Sequence, residues 1–472
     1  MRSPLTAPVS ILLKSIEYRP GMRDEEFSHL AHECASTRPS AVLLSGGELR
    51  PSDENRYSIL GCDPLLTLTG KGNACSIQFD GQVIELHSDP LAILNRLCSN
   101  LVPSFPLKSP PFSGGAIGYL AYELKNAIER LPNLALDDIG LPDLFLFWPG
   151  RIMIHDRKER VLCRLALKAE GERPRPDVQQ IPAAITTPAR FRMGSISSNF
   201  TREEYYGAVA RILDYITAGD VYQVNLSQRF HFDFEGDSFQ LWKSLFDINP
   251  APFYAYINAG DHQVLSTSME RFLFRRNSYI ETRPIKGTRG RGRTAQEDRD
   301  LISDLLKNPK DDAELSMIVD LLRNDLGRIC VPRSIRVAGH KRLETYRNVH
   351  HLVSMVTGEL KPGISYGNII RAVFPGGSIT GCPKIRAMEI IDELEPNVRH
   401  VYTGAAGYIG WHENLDLNVA IRTAIIKDET CYFSVGGGIV YDSREEDEYR
   451  ETLDKGRTLF DFIKRAGGTP CR

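Results

Sequence analysis

The chain has 472 residues, is 42% hydrophobic and 25% charged, and carries a formal net charge of -2. That length and composition belong to a globular protein of two or three domains, or one large double-sheet unit, with a large core that needs no disulfide staples. The small net charge gives no broad field for nucleic acid or anionic lipid, so neither is an expected partner.

At the N-terminus, Ile11-Leu12-Leu13 is too short for a secretory signal core, and Lys14 and Glu17 follow at once. No stretch approaches the roughly 18 apolar residues of a membrane span. The expected location is the cytoplasm, where the scattered cysteines, none in a C-x-x-C pair, stay reduced.

Short apolar runs such as Ala41–Leu44 and Tyr57–Gly61, with the loop Ser45-Gly46-Gly47-Glu48 between them, predict strands mixed with helices over 1–170. The glycines of Gly114-Gly115-Ala116-Ile117-Gly118-Tyr119 predict close backbone approach or a bulge. Residues 171–198 lose apolar periodicity and become rich in Pro, Ala and Thr, as a linker does. The region over 199–468 opens with a helix: Thr201 and Glu204 form a capping box ahead of Tyr205, Val209, Ile212 and Ile216. A second helix is predicted from about Asp311 to Asn324. A third follows Gly376–Gly381, with Pro383 in its first turn. A last one starts at a capping box of Ser443 and Glu446. Strand-like runs lie between, including Val264–Ser266, Tyr402–Gly410 and Thr430–Val435. Long helices interleaved with runs of strands predict an α+β fold.

Several segments carry groups suited to chemistry. Lys286 lies in Pro284-Ile285-Lys286-Gly287-Thr288, where proline and glycine predict a rigid, closely approached turn. An amine is a nucleophile only when neutral, and Arg283, Arg289, Arg291 and Arg293 are the expected source of the positive charge that favours that form. The run Arg289–Arg293 also resembles nucleic-acid-binding Arg/Gly segments. One short run in a chain of net charge -2 supports that weakly, and a mobile basic loop beside an anionic site fits as well. Glu270 is a candidate general acid if its surroundings raise its pKa, or else a salt-bridge partner of those arginines. On the last helix Glu448, Glu451 and Lys455 share one face by their spacing. Such a face is most often solvated, but two carboxylates also suit magnesium, with Glu314 as a further ligand. Gly436-Gly437-Gly438 and Gly376–Gly381 read first as tight turns, although backbone N–H groups there suit an anion. A lone histidine such as His351 carries little weight by itself.

Together these segments resemble the chorismate-utilising enzyme family. Those carrying the resemblance are Asp220–Leu226, the Lys286 segment, Ile318–Asp325, Gly376–Lys384, Ile421–Thr423, the triple glycine and Glu448–Lys455. The resemblance covers most of 200–465 and, more loosely, the N-terminal region. It implies a large two-sheet β-sandwich with helices packed outside. Members that add water carry a lysine at the place of Gln223; glutamine there implies ammonia as the incoming group. Members that form anthranilate have alanine at the place of Lys286, whereas those that aminate C4 of chorismate have lysine. The resemblance therefore implies C4 amination through a covalent Lys286 intermediate, with anthranilate formation as the alternative. It assigns Glu270 as the acid and Glu314, Glu448 and Glu451 as ligands of Mg2+. It places Thr288, His351, Ser378, Tyr402, Arg422, Gly436, Gly438 and Lys455 around the substrate. It implies a separate glutamine amidotransferase subunit as partner, and a tryptophan pocket near Ser45 and Phe253. The usual Leu-Leu-Glu-Ser of that pocket is here Leu43-Leu44-Ser45-Gly46, which argues against feedback inhibition.

Overall fold

Two long antiparallel strands, Tyr57–Lys71 and Leu144–Asp156, run together from Tyr57 opposite Asp156 to Gly70 opposite Leu144, with a bulge between Pro64 and Leu66. The computed structural model describes residues 3–46, 55–105, 112–172 and 191–465. Most of the expected linker, Gly47 and Glu48 of the expected loop, and residues 466–468 lie outside them.

An antiparallel ladder grows from each half of this long pair. From the Tyr57 half it passes through Ser40–Leu44, Tyr254–Asn258, His262–Ser266, Thr423–Lys427 and Thr430–Ile439 to Gln223–Glu235. From the Leu144 end it passes through Gly115–Leu120, Ala405–Gly410, Asn414–Val419, Arg271–Arg276 and Tyr279–Arg283 to Val349–Glu359. That last strand also carries Ile285–Gly290 and Arg336–Thr345. Strands from before residue 170 are thus hydrogen-bonded to strands from after 199 in both ladders. Buried side chains of the two ladders, among them Ile59, Ile117, Ile152, Ala255, Val264, Leu273, Leu417 and Ile425, make one apolar core, as in a sandwich of two sheets.

Helices cover the outside: α1 (Asp24–Ala35), α2 (Pro90–Asn100), α3 (Arg202–Thr217), α4 (Ser238–Ile248), α5 (Ala295–Lys307), α6 (Pro309–Gly327), α7 (Tyr366–Val373), α8 (Lys384–Leu394) and α9 (Glu445–Arg465). Phe27 of α1, Trp242 of α4 and Leu459 of α9 join Phe230 and Phe433 in a second cluster. Tyr205 and Val209 of α3 meet Met388 and Ile391 of α8 over Val224 and Leu226.

The capping box of α3 forms as expected: Glu204 N–H donates to Thr201 Oγ1 at 3.2 Å and Thr201 N–H to Glu204 Oε2 at 2.8 Å. Elsewhere side-chain competition moves the boundaries. Asn308 accepts from Lys310 and Asp311 N–H, so α6 begins at Pro309 rather than Asp311. Pro383 is the cap of α8, not part of its first turn. The box at Ser443 does not form, because its hydroxyl donates to Glu448 Oε1 at 2.5 Å, and α9 starts at Glu445. The strand expected from Tyr402 starts at Ala405. The triple glycine is not a turn but lies within Thr430–Ile439, opposite Asn225–Ser227. At Gly115, with φ of +130°, an added Cβ would meet Ile409 O at 2.2 Å, the close approach that the glycine run predicts.

Candidate active site

Glu270 immediately precedes the strand Arg271–Arg276 and is 4% exposed. Burial pushes its carboxyl up to about 7, against the pull of the Ser378 hydrogen bond, the Lys286 charge and the Ile285 backbone. Ser378 sits in the short 3-10 turn Gly377–Ile379, and its hydroxyl donates to Glu270 Oε1 at 2.7 Å. Among the described residues the salt bridges of Arg283, Arg289 and Arg291 run to Glu281, Asp304, Asp311 and Asp298.

Lys286 is not in a turn but in the strand Ile285–Gly290, where the ladder shifts register between Lys286 and Thr288. The intervening Gly287 has φ of +75° and lies so close under α5 and α6 that a Cβ would come within 3.0 Å of Leu305 and 3.1 Å of Asp311. The amine of Lys286 is 3.7 Å from Glu314 Oε2 of α6. Three of the four arginines expected to bathe it in positive charge are engaged elsewhere: Arg283 by Glu281, Arg289 by Asp304 and Asp311, and Arg291 by Asp298. Acidic residues of α5 and α6 therefore pin much of the basic run that resembled a mobile loop.

Thr288 and His351 face each other across the ladder, with Oγ1 and Nδ1 at 2.8 Å. Burial and the Arg422 charge lower His351 to about 3, which leaves a neutral imidazole at physiological pH.

The face of α9 predicted from spacing turns inward onto the triple glycine. A Cβ on Gly437 would meet Glu448 Oε2 at 3.2 Å, Glu451 Oε1 at 3.3 Å and Lys455 Nζ at 3.6 Å. Lys455 pairs with Glu451 at 2.6 Å and donates to Gly436 O at 2.8 Å. Glu451 is half-exposed, and although partial desolvation would raise it, Lys455, Lys286 and Lys310 hold it below the usual carboxylate range. Burial raises Glu448 against the Ser443 hydrogen bond, and the Glu451 charge adds to the rise. Glu448 Oε2 is buried without a hydrogen-bond partner. Arg422, left-handed at φ of 51°, donates to Lys455 O at 2.6 Å. Tyr402 is buried and pushed up to about 12, with Arg422 among the charges that oppose the rise.

Gln223 is fully buried. Its amide N–H donates to Asn225 Oδ1 at 3.3 Å, and its Oε1 has no partner. Asn225 in turn donates to Ser378 O at 2.8 Å, which links Gln223 to the surroundings of Glu270. Gly438 lies opposite Asn225, and a Cβ there would meet Gln223 Nε2 at 2.5 Å. The residues expected around the substrate thus converge from both ladders, α6 and α9.

Ser45 and Phe253 do not belong to this site. They line a cavity of ≈ 390 Å³ with Leu43, Tyr57, Arg271 and Tyr408. The guanidinium of Arg271 lies 4.7 Å from the Phe253 and Phe274 ring centres. Lys286, Glu270 and the α9 carboxylates are not among its walls.

No group of three His, Cys, Asp or Glu placed to hold a metal occurs among the described residues. Glu451 and Glu314 are engaged by lysines as they stand. The unpartnered, buried oxygen of Glu448 beside a second carboxylate nevertheless suits a hard cation. Asn225, Glu395 and Arg399 carry no site role in the sequence, and Ser443 enters there only as a helix cap. Asn225 lies inside the recognised segment Asp220–Leu226, which is the one signal that pointed near them.

Residues 52–461 match the family described as chorismate binding enzyme. The chain belongs to that family. It is 40% identical to aminodeoxychorismate synthase component 1 of Salmonella typhimurium, over 93% of this chain and 96% of the relative. It is 37% identical to anthranilate synthase component 1 of Cereibacter sphaeroides, over 99% and 94%. The solved structure of anthranilate synthase component I from Streptococcus pneumoniae superposes with a TM-score of 0.73 at 32% identity, covering 87% of this chain and 94% of that one. As a chorismate-binding family member the chain is an enzyme, with the two-sheet fold of its structural relatives. Among the described residues no helix is long and apolar enough to cross a membrane.

Proposed function

We propose that this chorismate-binding enzyme replaces the C4 hydroxyl of chorismate with an amino group, giving 4-amino-4-deoxychorismate for 4-aminobenzoate and folate synthesis in the cytoplasm. The observation that carries this reading is Lys286, held beside Glu314 in the same site as the buried acid Glu270.

In this reading Lys286 Nζ forms a bond to C2, both ring double bonds shift (C1=C2 to C6=C1 and C5=C6 to C4=C5) and the C4–O bond breaks. Glu270 gives its proton to the departing hydroxyl, so water leaves. Ammonia then bonds to C4, both double bonds shift back to C5=C6 and C1=C2, and the Lys286–C2 bond breaks. The Glu270 carboxylate is placed to take the proton that the new C–N centre releases. Arg422 and Lys455 would pair with the substrate carboxylates, and N–H groups near Gly436 and Gly438 would donate to them. Thr288, Ser378, Tyr402 and the neutral His351 would line the site. Glu314, Glu448 and Glu451 would hold Mg2+, which supplies positive charge to a dianionic substrate when bound. Gln223 offers an amide where a water-activating lysine would otherwise stand, which supports ammonia over water as the nucleophile.

A relative is named component 1, which supports a separate partner subunit; we assign it as the glutamine amidotransferase that supplies ammonia. The cavity at Ser45 and Phe253 is of a size and aromatic character suited to tryptophan, and Phe253→Ala should weaken tryptophan binding measured by calorimetry.

The deciding experiment is mass spectrometry of the protein with chorismate and Mg2+ but no ammonia. A covalent adduct on Lys286, absent in Lys286→Ala, is expected. With ammonium added, fluorescent anthranilate as the main product would sink the reading in favour of anthranilate synthesis.

A further inference from the structure

We propose that Arg399, held by Glu395, is a positioning residue for departure of the C4 hydroxyl, because it fixes the backbone segments that aim Ser378 at Glu270. This rests on the functional reading above for the identity of the step, and on hydrogen-bond geometry for the rest.

Arg399 is 5% exposed and Glu395 likewise 5%. Every N–H of the guanidinium is used. Nε donates to Glu395 Oε2 at 2.8 Å. Nη2 donates to Glu395 Oε1 at 2.6 Å and to Asn225 O at 2.7 Å. Nη1 donates to Ile379 O at 3.0 Å and to Thr403 Oγ1 at 3.3 Å. Glu395 Oε1 also accepts from Ser227 N–H at 2.8 Å and Ser227 Oγ at 2.9 Å. The Arg399 N–H donates to Glu123 Oε1 at 3.0 Å, and the Tyr122 ring centre is 4.8 Å from the guanidinium.

Two of these acceptors are main-chain carbonyls of segments that reach the catalytic acid. Ile379 directly follows Ser378, whose hydroxyl donates to Glu270. Asn225 holds the other side of the same serine by donating to Ser378 O. One planar cation therefore grips the carbonyl of the residue after Ser378 and the carbonyl of the residue that holds Ser378. Buried ion pairs seldom add stability over an apolar replacement of similar volume. The geometric return here is specific to a guanidinium: its fork meets two carbonyls and a carboxylate at fixed angles, whereas an ammonium is a single point of charge.

The test compares wild type, Arg399→Lys, Ser378→Ala and the double variant, with chorismate, Mg2+ and saturating ammonium. Arg399→Lys keeps the charge beside Glu395 but not the fork. Its kcat should fall by about 10- to 100-fold, since ångström-scale misplacement of a reacting group costs that much. KM for chorismate should stay within about twofold, since no substrate contact is removed. The double variant should fall no further than the more damaged single variant, because both changes break one linkage. Losses that multiply, or a loss confined to KM, would overturn the proposal. If Arg399→Lys does not fold, Glu395→Gln replaces it with the same outcomes read the same way. The wild-type product separates the two readings. Anthranilate overturns the amination reading and this role with it, whereas the aminated product with independent losses overturns the positioning role alone.

Discussion

Glu270 should set the alkaline limb of the rate profile. Its carboxyl is buried and raised to about 7, and it must be protonated to give a proton to the leaving hydroxyl. With that midpoint about half the enzyme is competent at pH 7 and about one tenth at pH 8, so the chemical step falls roughly tenfold per pH unit above it. Ser378→Ala removes a hydrogen bond of 2.7 Å that favours the ionised form. A hydrogen bond to a charged group contributes about 1.5 kcal/mol. At about 1.36 kcal/mol per pH unit, its loss moves the limb upward by roughly one pH unit. The sign follows because losing a donor to the carboxylate makes the neutral acid persist to higher pH. The assay is single-turnover conversion of chorismate with saturating ammonium and Mg2+ from pH 6 to 9.5, following product by chromatography. Glu270→Gln should lower the rate by about 10²- to 10⁴-fold at every pH. A wild-type rate that stays level to pH 9, or a limb that moves down in Ser378→Ala, would refute the assignment of Glu270 as the acid.

Gly437→Ala places a methyl group 3.2 Å from Glu448 Oε2 and 3.3 Å from Glu451 Oε1. Displacing these carboxylates should raise the Mg2+ concentration for half-maximal activity about tenfold, by analogy with losses around metal ligands; an unchanged titration would speak against a metal at α9. Glu123 is buried and raised from 4.5 to about 7. Its neutral form stabilises the fold below pH 4.5, and that contribution is lost as pH rises through about 7, to a limit of about 3 kcal/mol. Glu123→Gln should therefore flatten the fall in urea-unfolding stability between pH 5 and 8; a slope equal to wild type would count against it. Gly115→Ala should destabilise the chain by at least about 1–3 kcal/mol, since its Cβ would overlap Ile409 O, and an unchanged thermal midpoint would contradict the strand geometry.

Local pattern determined a good deal. The capping box of Thr201 and Glu204 needs only residues three apart, and it forms. The helical offsets of Glu448, Glu451 and Lys455 put them on one face, because 3.6 residues per turn require it. The recognised segments named the residues that the fold gathers around Lys286. Short-range pattern could not decide what each face meets. Spacing does not say whether the α9 face meets solvent or protein; the absence of side chains at Gly436–Gly438 lets the strand lie under it, with Glu451 left half-exposed. Ser443 looked like a cap, yet Glu448 captures its hydroxyl. The arginines of 283–293 looked like a field for Lys286, yet the carboxylates of Glu281, Asp298, Asp304 and Asp311 take three of them away. The role of Arg399 is not legible in the sequence, because its acceptors include main-chain carbonyls at Asn225 and Ile379, which side-chain identity does not reveal. Residue identity and spacing supply the candidate groups. Their partners come from the folded chain, since burial and long-range hydrogen bonds, not spacing, set the charge and aim of each group.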